Sequence, residues 1–294
     1  MLVSSFDPLR VYLYEEGLTR FATEKFSTKK SKIKKKFIHL TNYSINKKAN
    51  QFIENNQDSE AKGSKWSLST YKREMEALGI NIGALFERIK DVIVKSCISV
   101  EPYMLDSFNK MTEHKNNCYE LYGFDVLVDS NFKPWVMEVN VSPSLNSSSP
   151  LDKKIKTMLI CDTMNLVGYQ PFDKRKIENG LLFKNSNQNG LTMKNHFEDK
   201  KGSIRTMNDV EDLNAENCIE KLSSDQWNIL FENEEEFYRK GKFERIFPIE
   251  EKIDFYSKFF QYPRINNLIW WRLMRSKEDY LAKVLPRVSP PKNN

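Results

Sequence analysis

The stretch Tyr122-Gly123-Phe124-Asp125-Val126-Leu127-Val128-Asp129, Ser130-Asn131-Phe132-Lys133, Pro134-Trp135-Val136-Met137-Glu138-Val139-Asn140 reads as two β-strands around a four-residue turn. If Asp129 pairs with Pro134, counting back along each strand sets Asp125 opposite Glu138. Directly opposed residues hold their Cβ atoms about 4.5–5.5 Å apart on one face. Asn140 lies two residues beyond Glu138 and points to that same face. Two carboxylates and a carboxamide therefore converge, and Val126, Val128, Met137 and Val139 are expected on the opposite, core-facing side. Like charges this close repel, and leaving them unpaired in a half-buried sheet is costly. A hard divalent cation resolves the conflict, since Mg²⁺ takes oxygen ligands, keeps some water and bridges to nucleotide phosphates. The plainer alternative is a pair of acids on a solvent-facing strand surface.

Downstream, Ser149-Pro150 opens a helix whose apolar face is Leu151, Ile155, Met158 and Leu159, with Gly168 as its stop. Upstream, Leu9–Tyr14 and Leu18–Ala22 flank the turn Glu15-Glu16-Gly17, so residues 1–25 read as strand–turn–strand. Phe37–Ser44 reads as a short strand entering a polar loop. Ser67 or Ser69 caps a helix from Thr70 to Leu78, and a second helix over Ile82–Val100 carries the stripe Ile82, Leu85, Ile89, Val92, Ile93 and Cys97. Periodicity fades from Phe172 to Ser223, where eight asparagines and many charges predict a linker or insertion. Helical pieces are expected from residue 224 to 285, beginning with Gln226–Lys242, before a Pro- and Asn-rich tail at 286–294.

The 294 residues carry a formal charge of +6, which is unevenly placed. Lys29, Lys30, Lys32, Lys34, Lys35, Lys36, Lys47 and Lys48 fall between Phe26 and Ile53 with no acid among them, so this segment carries +8 and the rest −2. Such a field attracts an acidic partner. Nucleic-acid readers interleave aromatics and arginines with their basic runs, and this cluster is all lysine, so a nucleic-acid partner is not expected. No apolar run approaches the ~20 residues of a membrane helix, and no membrane partner or signal peptide is read. Cys97, Cys118, Cys161 and Cys218 lie far apart, with no CxxC and three histidines in all, which gives neither a zinc signature nor a disulfide framework and suits a reducing compartment.

Ser5-Phe6-Asp7-Pro8-Leu9-Arg10, Tyr14–Ala22, His39-Leu40-Thr41-Asn42-Tyr43-Ser44-Ile45-Asn46-Lys47, Glu120–Asp125 and Glu138-Val139-Asn140-Val141-Ser142-Pro143-Ser144-Leu145 resemble motifs of the tubulin–tyrosine-ligase-like proteins, most closely their polyglutamylase branch. The resemblance covers about residues 1–170 and resumes at Gly241–Pro248. It implies an α+β, ATP-grasp-like fold, an antiparallel sheet with flanking helices. Residues 1–171 would be the C-terminal portion of that catalytic domain, 172–223 a linker, 224–285 a helical extension and 286–294 a disordered tail. Because Met1 sits where the first motif is about to start, the N-terminal part of the fold is expected to be missing, leaving an exposed apolar patch around Val11–Tyr14.

The resemblance further implies a ligase that uses ATP and Mg²⁺ to join free glutamate to a glutamate side chain of tubulin or another acidic-tailed protein, through an acyl phosphate. By motif match, Asp125, Glu138 and Asn140 are the metal ligands, and Thr41 and Asn42 line the nucleotide. Arg20, Tyr43 and Ser44 lie near the nucleotide or the incoming amino acid, and Lys156, or Lys65, holds that amino acid's carboxylate. The lysine-rich loop suits a glutamate-rich tail. The expected setting is a monomer in the cytoplasm, associated with the microtubule cytoskeleton, cilium or basal body. Two other readings stand beside this one: a non-catalytic module that docks on acidic tails or microtubules, and a related ligase adding glycine or tyrosine.

Overall fold

The computed structural model describes residues 1–53, 61–111, 118–168, 208 and 221–275. In chain order the strands are β1 (Leu2–Phe6), β2 (Leu9–Tyr14), β3 (Leu18–Arg20), β4 (Lys65–Ser67), β5 (Glu120–Leu121), β6 (Gly123–Val128), β7 (Pro134–Asn140) and β8 (Phe243–Phe247). The helices are α1 (Lys36–His39), α2 (Tyr43–Asn46), α3 (Leu68–Ala77), α4 (Ile82–Met111), α5 (Pro150–Val167), α6 (Ser224–Tyr238), α7 (Ile253–Ser257) and α8 (Ile265–Arg275). An antiparallel sheet of order β5-β1-β2-β8 forms the centre, and β3–β4 and β6–β7 are separate two-stranded ladders. No helix among the described residues is long and apolar enough to cross a membrane.

Alternation along β2 buries both faces of the central sheet. Leu9 and Val11 join α4, α6, α7 and α8 in one cluster that includes Val94, Phe247 and Trp270, all fully buried. Tyr12 and Tyr14 turn the other way, onto Leu2, Phe243 and Leu166 of α5. The apolar patch expected around Val11–Tyr14 is therefore corrected: these residues are at most half exposed, because helices pack on both faces of β2 while β8 pairs along its edge. The reading of residues 243–247 as part of a helical extension is corrected by the same pairing.

Two further strand expectations change. β2 hairpins back onto β1, whereas β3 leaves to pair with β4, so residues 1–25 are not one hairpin. Phe37–Ser44 forms the short turns α1 and the start of α2 instead of a strand. Asn46, 1 % exposed, explains it: its Nδ2 donates to the carbonyls of Leu40 at 2.7 Å and Asn42 at 3.1 Å. Those are groups that a strand would offer to a neighbouring ladder. Its Oδ1 accepts from the backbone N and the Oγ1 of Thr23, both at 3.1 Å, which ties the turn to β3's trailing segment.

The helices follow their caps. Ser67 caps α3 by accepting from Thr70 N, and Ser149 caps α5 by accepting from Asp152 N. Gly168 ends α5 at φ 68°, the left-handed conformation that glycine adopts without a Cβ clash. Helix α4 runs past the expected Val100 and through Pro102 to Met111. A proline costs a helix one hydrogen bond. Here packing on both sides of it compensates, with Ile98 and Leu105 in the core and Phe108 against Phe6 at 5.4 Å. Buried Glu101 also receives two hydrogen bonds from Arg264, at 2.8 and 3.2 Å. The expected linker at 172–223 and tail at 286–294 lie almost wholly outside the described residues.

Candidate active site

The β6–β7 hairpin sets Asp125 against Glu138, as the sequence predicts, through a different register. Val128, not Asp129, pairs with Pro134, and a bulge between Asp125 and Val126 restores the count. Asp129 leaves the strand because its carboxylate caps the turn, accepting from Asn131 N at 2.8 Å, Lys133 N at 3.0 Å and Trp135 Nε1 at 3.0 Å. Those bonds hold its carboxyl below the usual carboxylate value. Phe132 takes a positive φ of 56° to close the loop.

Asn140 joins the acids on their face. Its Nδ2 lies 3.1 Å from Asp125 Oδ2 and 3.4 Å from Glu138 Oε1, so one amide spans both carboxylates. Gly123, opposite Asn140, admits the following chain closely: a Cβ there would meet Pro143 Cβ at 3.0 Å. The expectation that the other face is core-facing is corrected. Met137 is 64 % and Val139 40 % exposed, together with Leu127 and Trp135, while the bulge sets Val126 and Val128 opposite Val136 and Pro134, where they are half-buried.

Two cations approach from the β3–β4 ladder, where Arg20 and Lys65 stand directly opposite one another. Arg20 Nη2 donates to Asp125 Oδ1 as a partly exposed ion pair. Lys65 Nζ reaches both oxygens of Asp152 at 2.8 Å and lies over the Tyr43 ring, 4.7 Å from its centroid. The structure thus joins Arg20 to the hairpin, and Tyr43 to Lys65. Lys156 lies one turn beyond Asp152 on α5 and donates to the Asn146 carbonyl. Asn42 precedes α2 but makes no side-chain cap, so its carboxamide is not used to start the helix. Thr41, Asn42 and Ser44 make no hydrogen bond to the hairpin among the described residues, and Asn42 and Ser44 are exposed.

Asp152 was missed by reading for metal ligands. It is 4 % exposed and the partner of Lys65, and its sequence signal is the Ser-x-x-Asp spacing of a helix start. Burial opposes its charge, but hydrogen bonds from Lys65 and Ser148 outweigh that and hold its pKa below the usual 3.8. The unfolded chain then takes up the proton first as pH falls, so the stabilisation is complete above pH 3.8 and lost as pH drops through the lower folded value. Lys65→Met leaves a buried carboxylate without its cation. It should cost about 3 kcal/mol at neutral pH. Thermal melts taken toward acid should show the gap between wild type and variant closing, and a gap that does not depend on pH would rule out this role for the pair.

A mixed fold of helices and antiparallel sheet presenting such an acid–amide face beside a cationic ladder is the class the motifs imply, and residues 1–178 match the tubulin-tyrosine ligase family, to which the chain belongs. It is 38 % identical over 283 residues to tubulin monoglutamylase TTLL4 of Mus musculus, covering 91 % of this chain and 24 % of that protein. It is 35 % identical over 290 residues to tubulin polyglutamylase TTLL5 of Mus musculus, covering 94 % and 22 %. Tubulin polyglutamylase ttll-4 of Caenorhabditis elegans is 32 % identical over 286 residues, covering 94 % and 45 %. The chain thus spans about a quarter of the length of these mammalian relatives and under half that of the worm protein.

Proposed function

We propose that this chain forms the metal-binding wall of an ATP-grasp ligase that joins free glutamate to a glutamate side chain of tubulin or another acidic-tailed protein. The observation that carries the reading is the common face of Asp125, Glu138 and Asn140, in a chain of this family. The donor set fits Mg²⁺. It consists of two carboxylates and a carboxamide, and rotating the Asn140 amide exchanges its nitrogen for an oxygen at the same place. Among the described residues no group of three or more His, Cys, Asp and Glu side chains could hold a metal, which leaves this mixed set as the candidate. Bound with ATP, Mg²⁺ would neutralise the charge that develops as a phosphoryl group moves to the acceptor carboxylate.

The chain's own residues divide the remaining work. Arg20 restrains Asp125 and offers its other guanidinium nitrogens toward an anionic substrate group. Thr41 and Asn42 would offer a hydroxyl and a carboxamide to the nucleotide, with Ser44 beside them. Lys65 is committed to Asp152 and steadies Tyr43, so the incoming carboxylate falls to Lys156, which among the described residues donates to the exposed Asn146 carbonyl alone. The relatives named as mono- and polyglutamylases favour glutamate over glycine or tyrosine, and a cytoplasmic setting at microtubules follows from the same substrate.

Incubating the chain with tubulin, ATP, Mg²⁺ and labelled glutamate should label tubulin, and chelating the metal should abolish labelling. Preferential uptake of glycine or tyrosine would overturn the choice of amino acid. Tubulin binding without any transfer would replace the ligase with a docking module.

A further inference from the structure

The residues of the site sit on three separate pieces of the fold: the acids and amide of β6–β7, the cations of the β3–β4 ladder, and Lys156 on α5. A chain of charge-assisted bonds joins them. Arg20 grips Asp125 on the hairpin, Lys65 stands directly opposite Arg20 on the ladder, and Lys65 Nζ reaches both oxygens of Asp152 at 2.8 Å. Asp152 and Lys156 then project from one face of α5, a turn apart. The loop between hairpin and helix is fastened from that same face. Ser148 donates to Asp152 Oδ2 through its hydroxyl at 2.8 Å and its backbone N–H at 3.2 Å, and Lys156 donates to the Asn146 carbonyl. The two fastenings differ in kind. Asp152 is 4 % exposed and collects an ammonium, a hydroxyl and an amide, a full set of donors for a carboxylate. Lys156 is half-buried and Asn146 exposed, and a neutral carbonyl is a weaker partner for an ammonium than a carboxylate is. A carboxylate that reaches Lys156 therefore displaces Asn146.

We infer that Asp152 is a positioning residue for Lys156: it keeps the 146–149 loop in place while Lys156 releases Asn146 and takes the carboxylate of the incoming amino acid. The inference rests on the proposed ligase reading for what Lys156 takes up, and it gives Asp152 a share in that affinity without any contact. Were Lys156 the sole fastening, every binding event would loosen the loop, and the disorder so released or regained would be felt in affinity. With Ser148 held by Asp152, the loop stays folded and the ammonium meets its ligand from a fixed base. Lys65 and Arg20 supply the second half of the arrangement. Through them the base is tied to Asp125, so the place of Lys156 is set relative to the face where Asp125, Glu138 and Asn140 meet. An amine that must attack a carboxyl group activated at that face needs such a fixed separation.

Transfer kinetics with labelled glutamate, run well below each variant's melting temperature, separate this role from a purely structural one. Asp152→Ala should raise the KM for glutamate about tenfold while the KM for ATP moves by less than about threefold. Asp152→Asn keeps an oxygen for the Ser148 donors and should raise it less. A variant that merely populates less folded protein loses apparent kcat at an unchanged KM for glutamate, and that result would overturn the inference. Hydrogen exchange reads the device without turnover. The Ser148 amide should exchange about tenfold faster in Asp152→Ala and at the wild-type rate in Lys156→Gln. Lost protection in Lys156→Gln, or intact protection in Asp152→Ala, would show that Asp152 is not what holds the loop. If the exchange pattern holds and the wild-type chain transfers no glutamate, the hold of Asp152 on the loop stands and the ligase reading falls. Active transfer with an unchanged glutamate KM in Asp152→Ala does the reverse.

Discussion

Glu138→Gln should lower ATP-dependent glutamate transfer by roughly two to three orders of magnitude, the size expected when metal-assisted charge stabilisation worth several kcal/mol is lost. The same substitution should leave the fold no less stable. Glu138 stands directly opposite Asp125, and like charges so placed are destabilising, so removing one relieves about 0.2–1 kcal/mol of repulsion. Asn140 can still bridge to Asp125 at 3.1 Å. Activity and stability therefore move in opposite directions, a pattern that a merely structural acid on an exposed strand does not give. Asp125→Asn should match the loss of activity but is the less clean experiment, because it also removes the ion pair with Arg20. Transfer measured with labelled glutamate, alongside thermal melts, decides the matter. If Glu138→Gln kept transfer within about threefold of wild type, these residues would not hold the metal.

The second large effect is on stability. Arg10, in the Ser-Phe-Asp-Pro-Leu-Arg phrase, pairs with Glu236 of α6 at 3.2 Å, both side chains 7 % exposed. Ser4 Oγ donates to the other Glu236 oxygen at 2.6 Å. Burial pushes the neighbouring Glu232 carboxyl upward, an effect that Arg10 opposes and Glu236 adds to. Burial likewise raises Tyr12, again with Glu236 contributing. Arg10 is thus a cation facing a group of buried acids and a phenol. Arg10→Met should cost about 3–5 kcal/mol, most of it the penalty of a buried carboxylate left alone. The double variant Arg10→Met with Glu236→Leu should recover much of the loss, since an apolar pair of similar volume avoids desolvation altogether. Urea unfolding followed by the fluorescence of buried Trp227 and Trp270 reads both. A single-variant cost below about 1 kcal/mol would mean that α6 is not locked to β1 and β2 by this pair.

The parts legible in the sequence are those settled by near neighbours. Asp125, Glu138 and Asn140 belong to one hairpin, so period-two alternation places them on one face even though the assumed register was off by one at the turn. Ser67, Ser149 and Gly168 mark helix ends because each acts within one helical turn. The stripe of α4 was readable to Val100, with Val94 and Ile98 joining it in the core, because helical spacing repeats. The motifs likewise named the family, since they are short and ordered.

What lay out of reach depends on residues far apart in the chain. Lys65 stood second to Lys156 as a holder of the incoming carboxylate, and nothing near it in sequence marked its pairing with Asp152, 87 positions away. Leu18–Arg20 looked like the return strand of β2, but Lys65–Ser67 takes it. Phe243–Phe247 carried no local mark that it would pair with β2, and the exposed side of β6–β7 carried none that it would lack a cover. Alternation and capping fix what a segment is, because their energies are local. Which segments meet is fixed by which surfaces bury one another best across the whole chain, and that competition has no local signature.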